Sequence, residues 1–202
     1  MSVREPDSDE RVRRITSEQL RAAIAAVEAR SSGSSDLPPL APEAHDAATA
    51  ALRLLRHRPR SEHELRERLL GKDHAPAAVD AALARVRVWG LVDDAEFASE
   101  WVRGRRRRRG RSRGALEREL REKGVAEAHI ARAVSHIDEC DEHDHAAELV
   151  RARLARRPTG SRRAADLQGE RRRLVAFLGR RGYPTGLAMT VVDAELAAQV
   201  SP

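Results

Sequence analysis

The sequence predicts an all-α protein: three tandem three-helix modules forming an elongated, curved helical repeat, with one more helix on a flexible linker at the N terminus. Three observations lead there. The first is a pattern that recurs at an offset of 51 residues. Ser61, Leu65, Leu69, Lys72, Val79, Leu83 and Val86 return as Ser112, Leu116, Leu120, Lys123, Ile130, Val134 and Ile137, each pair keeping its chemical class. Self-similarity at such a period marks stacked units, each burying its apolar face on a neighbour. The second is a weaker third copy at an offset of 58 from the second, in which Leu116, Leu120, Lys123 and Gly124 become Leu174, Leu178, Arg181 and Gly182. After that the register is read as slipping by one, so that Ile130, Val134 and Ile137 fall on Leu187, Val191 and Ala194; Glu170 stands where the leading Ser is expected. The third is composition. With 35% charged and 2% aromatic residues in 202, and no period-2 strand pattern, thin layers of Leu, Ile, Val and Ala are easier to build than one large core.

In chain order, residues 1–15 read as a disordered tail. Thr16 then caps a short helix, with Gln19 three residues on, Ile15 against Leu20 as a staple, and Leu20, Ile24 and Val27 on one face. Ser31 to Pro42 is rich in Ser and Pro and reads as a linker, so residues 1–42 form an appendage. Module 1 spans 43–91. Its first helix carries Ala48, Ala51, Leu52 and Leu55 and stops before Pro59. Ser61 with Glu64 forms a capping box for the second helix, which Gly71 ends. Pro76 opens the third, striped by Val79, Leu83 and Val86 and stopped at Gly90.

Module 2 spans 92–138. Asp93 and Glu96 open its first helix, with Phe97, Trp101 and Val102 apolar; Ser112 caps the next, and Ile130, Val134 and Ile137 stripe the last. Module 3 spans 139–199, with Ala147, Val150 and Leu154, a turn through Pro158 and Gly160, then Leu174, Phe177 and Leu178, and a final helix after Gly182 and Pro184 to about Gln199.

Basic residues exceed acidic ones by 6 and the sequence pI is about 10.7, a balance that favours anionic partners. Cys140 is the only cysteine, which rules out an intramolecular disulfide and fits a reducing cytosol, so a cytoplasmic location is expected. Met1 to Glu10 lacks the apolar stretch of a signal peptide, and no apolar run approaches the roughly 20 residues that span a bilayer, so no membrane role is expected.

Four segments carry a resemblance to a known family. They are Ala51-Leu52 to Leu55 followed by Arg58-Pro59-Arg60-Ser61 and Glu64-Leu65; Gly90 to Ala98 leading into Trp101-Val102; Glu119 to Val125; and Arg181-Gly182-Tyr183. In this order, from residue 45 to 197, the chain resembles the RecX family of recombination regulators. The resemblance implies a small, elongated, non-enzymatic helical protein that binds the RecA recombinase. It is expected to lodge in the groove of the RecA filament on single-stranded DNA and to restrain filament growth, strand exchange and RecA-stimulated cleavage. It implies no catalytic residue and no cofactor. A monomer is expected. The alternative is a sequence-independent nucleic-acid-binding protein acting through its arginine-rich helix.

The residues themselves single out the stretch from Arg103 to Arg113, where eight of eleven are arginine: Arg103, Arg105, Arg106, Arg107, Arg108, Arg109, Arg111 and Arg113. Read as one helix, the run repels itself at i,i+4, each pair costing roughly 0.2–0.5 kcal/mol, and an anionic partner relieves it. Phosphates or acidic side chains of a protein filament qualify; the bland alternative is a solvated basic face. These eight and Lys123 are the candidate partner-binding residues. No aromatic lies inside the run, which argues against base stacking. His136, Asp138, Cys140, His143, Asp144 and His145 invite a metal reading, but they fall where a helix is expected to break and lack a recognised ligand spacing, so an acidic helix start is expected instead. Trp89, Phe97, Trp101, Phe177 and Tyr183 are expected in the core, with Trp89 an alternative exposed anchor. Ser61 and Ser112 are explained by capping, and Gly104 and Gly110 are expected to bend or end a helix.

Overall fold

The computed structural model describes residues 39–156 and 167–200. The helix expected at Thr16, most of the linker, and the turn through Pro158 and Gly160 lie outside the described residues. Among those described, every regular element is helical: α1 Pro42–His57, α2 Glu62–Leu70, α3 Pro76–Val88, α4 Asp94–Arg109, α5 Arg113–Glu122, α6 Glu127–Val134, α7 Glu139–Ala155, α8 Leu167–Gly179 and α9 Thr185–Val200. They fall in threes, as tandem three-helix modules. By packing, the described chain forms two compact units, the first ending at Phe97 and also taking in Lys123–Val125, the second holding the rest.

In the first unit, Pro42 occupies the opening turn of α1, where its missing N–H costs nothing. Arg58, with an extended backbone ahead of Pro59, closes the helix. Ala44, Ala47 and Ala48 meet Ala78 and Ala82 of α3, and these small side chains let the two helices pack closely. Below them Ala51, Leu55, Leu65, Leu69, Val79, Leu83 and Val86 form the core, with Trp89 half-buried against it.

Ser61 caps α2 by accepting from the Glu64 N–H at 3.1 Å. The expected reciprocal half of that capping box is absent. The Glu64 carboxylate instead takes Arg58 through two bonds of 2.8 and 3.1 Å and Lys123 Nζ at 3.1 Å. Burial raises its pKa, but the bonds from Arg58 and Lys123 outweigh that and bring it to about 2. Capping is also not the whole role of Ser61, whose hydroxyl donates to the Lys123 carbonyl at 2.6 Å. Beside that carbonyl, Gly124 has φ +68, and a Cβ there would collide with Cβ and Cγ of His63.

The second unit repeats this arrangement. Ser112 caps α5 through the Ala115 N–H at 3.2 Å, and its own N–H donates to the Arg181 carbonyl at 3.1 Å. Gly182, with φ +93, presses on Ala115 and the Ser112 hydroxyl. A serine at the head of one copy's middle helix thus meets the Lys-Gly or Arg-Gly turn of the next copy. The first copy has Asp73 at the equivalent position, left-handed at φ 63 and exposed. No earlier copy presses on it among the described residues, so a side chain is tolerated. A left-handed non-glycine residue carries residual strain, and Asp73→Gly is expected to raise stability by about 0.5 kcal/mol in a urea melt.

One expectation for the third module needs correction. The offset of 58 holds without a slip: α9 opens 58 residues after α6, and Ala188 and Val192, both fully buried, take the places of Ile130 and Val134. Val191 is also buried, but Ala194 is exposed. Alanine fills the inner position, so a search for large aliphatic side chains finds the wrong register. Glu170, at the place of the leading Ser, is no cap. α8 starts at Leu167 and runs through it, leaving Glu170 buried and paired with Arg173 at 3.5 Å.

Candidate functional site

The arginine run does not lie on one helix. α4 ends at Arg109, Gly110 turns the chain with φ +59, and Arg113 begins α5. Gly104, in contrast, sits inside α4 and does not end it, with the Arg108 guanidinium folded over it.

Four of the eight arginines are tied down by the chain's own carboxylates, Arg105, Arg106 and Arg111 half-buried and Arg113 exposed. Arg106 donates to Glu142 at 2.8 Å and to the Asp141 carbonyl at 2.8 Å. Glu142, 9% exposed, also accepts from the Arg113 N–H at 3.0 Å. The Arg113 guanidinium reaches Glu117 at 3.0 Å and the Ile137 carbonyl at 2.9 Å. Glu119 gathers the other two: Arg105 at 3.3 Å and Arg111 at 2.9 Å, the latter an ion pair whose N–H is not aligned for a hydrogen bond. Trp101 donates its indole N–H to the same carboxylate at 3.0 Å, and the Arg105 guanidinium stacks 4.2 Å from the Trp101 ring. Arg111 also holds the Arg180 carbonyl at 2.8 Å. The expected self-repulsion is therefore relieved largely from within the chain.

The other four face outward. Arg103 pairs with Glu100 one turn back at 3.0 Å, and Arg107, Arg108 and Arg109 are exposed on the last turn of α4. Lys123 stands apart in the first unit, held to Glu64.

A hollow of about 520 Å3 opens beside α4, and residues outside the run line it as well. Arg132 and His136 reach it from the end of α6 and the turn that follows, and His145 from α7. Composition hides Arg132 among many scattered arginines, and His136 and His145 fall in a cluster that the sequence reads as an acidic helix start. The helix breaks between Val134 and Glu139, where Asp138 and Asp141 form a reciprocal capping box, so His136 is not on one helix with Cys140 and His143. The N ring atom Nδ1 of His145 lies 2.8 Å from the Tyr183 hydroxyl. Burial, and then the nearby Arg106 charge, lower the His145 pKa, while burial raises that of Tyr183. Of the five aromatics, Phe97 and Tyr183 are buried; Trp89, Trp101 and Phe177 are half-buried, with Phe177 covered by Arg181 at 3.7 Å.

This arrangement has counterparts. The family model for the first three-helix domain of RecX matches residues 47–85, and that for the second matches residues 93–134. Over 143 residues the chain is 44% identical to the regulatory protein RecX of Amycolatopsis mediterranei, covering 71% of this chain and 79% of the relative. This chain belongs to the RecX family. The RecX of Mycobacterium avium is 43% identical over 148 residues, covering 73% of this chain and 83% of its own. The crystal structure of RecX from Lactobacillus salivarius shares the fold, with a TM-score of 0.61 at 15% identity over 78% of this chain and 99% of that one. The match to the second RecX domain contains the whole arginine run, both glutamate anchors on α5 and Arg132. Among the described residues, no helix is long and apolar enough to cross a membrane.

Proposed function

We propose that this chain is a non-enzymatic regulator that binds the RecA filament on single-stranded DNA and restrains its growth and its recombinase, ATPase and co-protease activities. The observation that carries the reading is the 44% identity to a protein named regulatory protein RecX, extending over most of both chains. The outward arginines 103, 107, 108 and 109 add an anion-seeking surface on which a filament of protein and DNA can dock. In this reading the chain acts as a cytoplasmic monomer built of modules 43–91, 92–138 and 139–199. The four tied-down arginines and Lys123 hold the fold together, and the outward ones meet the partner.

The test is DNA-dependent ATP hydrolysis by RecA with increasing amounts of the purified chain. Suppression at or below stoichiometric amounts is expected. Folded protein that leaves the rate unchanged at low salt contradicts the proposal. The second reading, binding to nucleic acid alone, is favoured by the basic hollow, and predicts DNA binding by the chain without any effect on RecA.

A further inference from the structure

We infer that the hollow beside α4 is a seat for a backbone phosphate of single-stranded nucleic acid. Its wall carries Arg103, Arg106 and Arg107 from α4, Arg132 from α6, His136 from the following turn and His145 from α7. Among the described residues that line it, none bears a carboxylate. Glu100 and Glu142, which pair with Arg103 and Arg106, are not among the lining residues.

The roles within the wall differ. Arg106 has committed its two terminal nitrogens to Glu142 and the Asp141 carbonyl, so its charge is balanced within the chain and it frames the hollow. Arg132 and His136 have exposed side chains and supply the donors that reach a ligand. His145 closes the inner side, held by Tyr183.

Basic side chains thus converge from three segments of chain: α4, the end of α6 with its turn, and α7. A tetrahedral phosphodiester presents oxygens in several directions and suits such a convergence, whereas a planar carboxylate offers its oxygens in one plane to a single fork. The lining contains no aromatic residue on which a base could stack, so the seat reads backbone and not sequence. The inference does not depend on RecA: a chain that leaves RecA untouched could still hold DNA here.

The experiment is fluorescence anisotropy of a labelled oligothymidylate with the full chain over a range of salt concentrations. Arg132→Gln is expected to weaken binding about 5- to 10-fold and to make the salt slope shallower by about 0.7. Arg132→Lys keeps the charge without the fork, and is expected to retain the slope while losing part of the affinity. Arg68→Gln, an exposed arginine of the first unit, should change binding less than about twofold. Equal losses for Arg68→Gln and Arg132→Gln would overturn the seat, as would unchanged binding by Arg132→Gln. A labelled oligoglutamate that binds as tightly, and loses as much on Arg132→Gln, would show a general acidic-chain site and also overturn it.

Discussion

Gly182→Ala is expected to destabilise the second unit by about 3 kcal/mol, the sum of two separate costs. The backbone there has φ +93, which an L residue adopts only with strain. The new methyl would also lie 2.6 Å from the Ala115 Cβ and 2.8 Å from the Ser112 hydroxyl. Ala115 has no rotamer by which to withdraw, so the α5 backbone or the turn must move. That movement threatens the bond from the Ser112 N–H to the Arg181 carbonyl. Gly90→Ala separates the two costs. Gly90 has a similar positive φ of +66, but nothing lies within 4 Å of its Cβ position, so only the conformational part, about 1 kcal/mol, is expected. Urea melts of both variants check this, and equal losses would mean that the close approach at Gly182 carries no cost.

Glu142→Ala is expected to cost about 3 kcal/mol, because it strands the half-buried Arg106 guanidinium and the Arg113 N–H together. Arg106→Ala should cost a similar amount, since it leaves the Glu142 charge almost enclosed. Removing both partners removes both stranded charges, so the double variant should be at least about 1 kcal/mol more stable than the sum of the single losses predicts. A thermodynamic cycle from denaturant midpoints measures this. Strict additivity would mean that the pair is only a surface contact.

These two sites mark what the sequence could and could not disclose. The helices were legible because their signals are local: Pro42 and Pro76 at first turns, Ser61, Asp93 and Ser112 at caps, and apolar stripes at helical spacing. The repeat is legible because Leu and Val fill equivalent positions, and its register is obscured where Ala188 stands in the place of Ile130. The division of the arginine run was not legible. Its members look alike in the sequence, while their partners Glu119 and Glu142 lie on other helices. One trace was present. Glu142 falls on the same stripe as Ala146, Val150 and Leu154, and a carboxylate on a core-facing stripe implies a buried cation. The hollow was hidden for the same reason: Arg132, His136 and His145 join it only through folding.

The division of labour among the arginines is tested most directly by the variant Arg107→Gln/Arg108→Gln/Arg109→Gln, followed in parallel by thermal melting and by inhibition of RecA ATP hydrolysis. A melting temperature close to that of the unaltered chain is expected, with about tenfold more protein needed for the same inhibition. Inhibition at unaltered protein concentrations, or a loss of stability as large as that of Glu142→Ala, would contradict that division of labour.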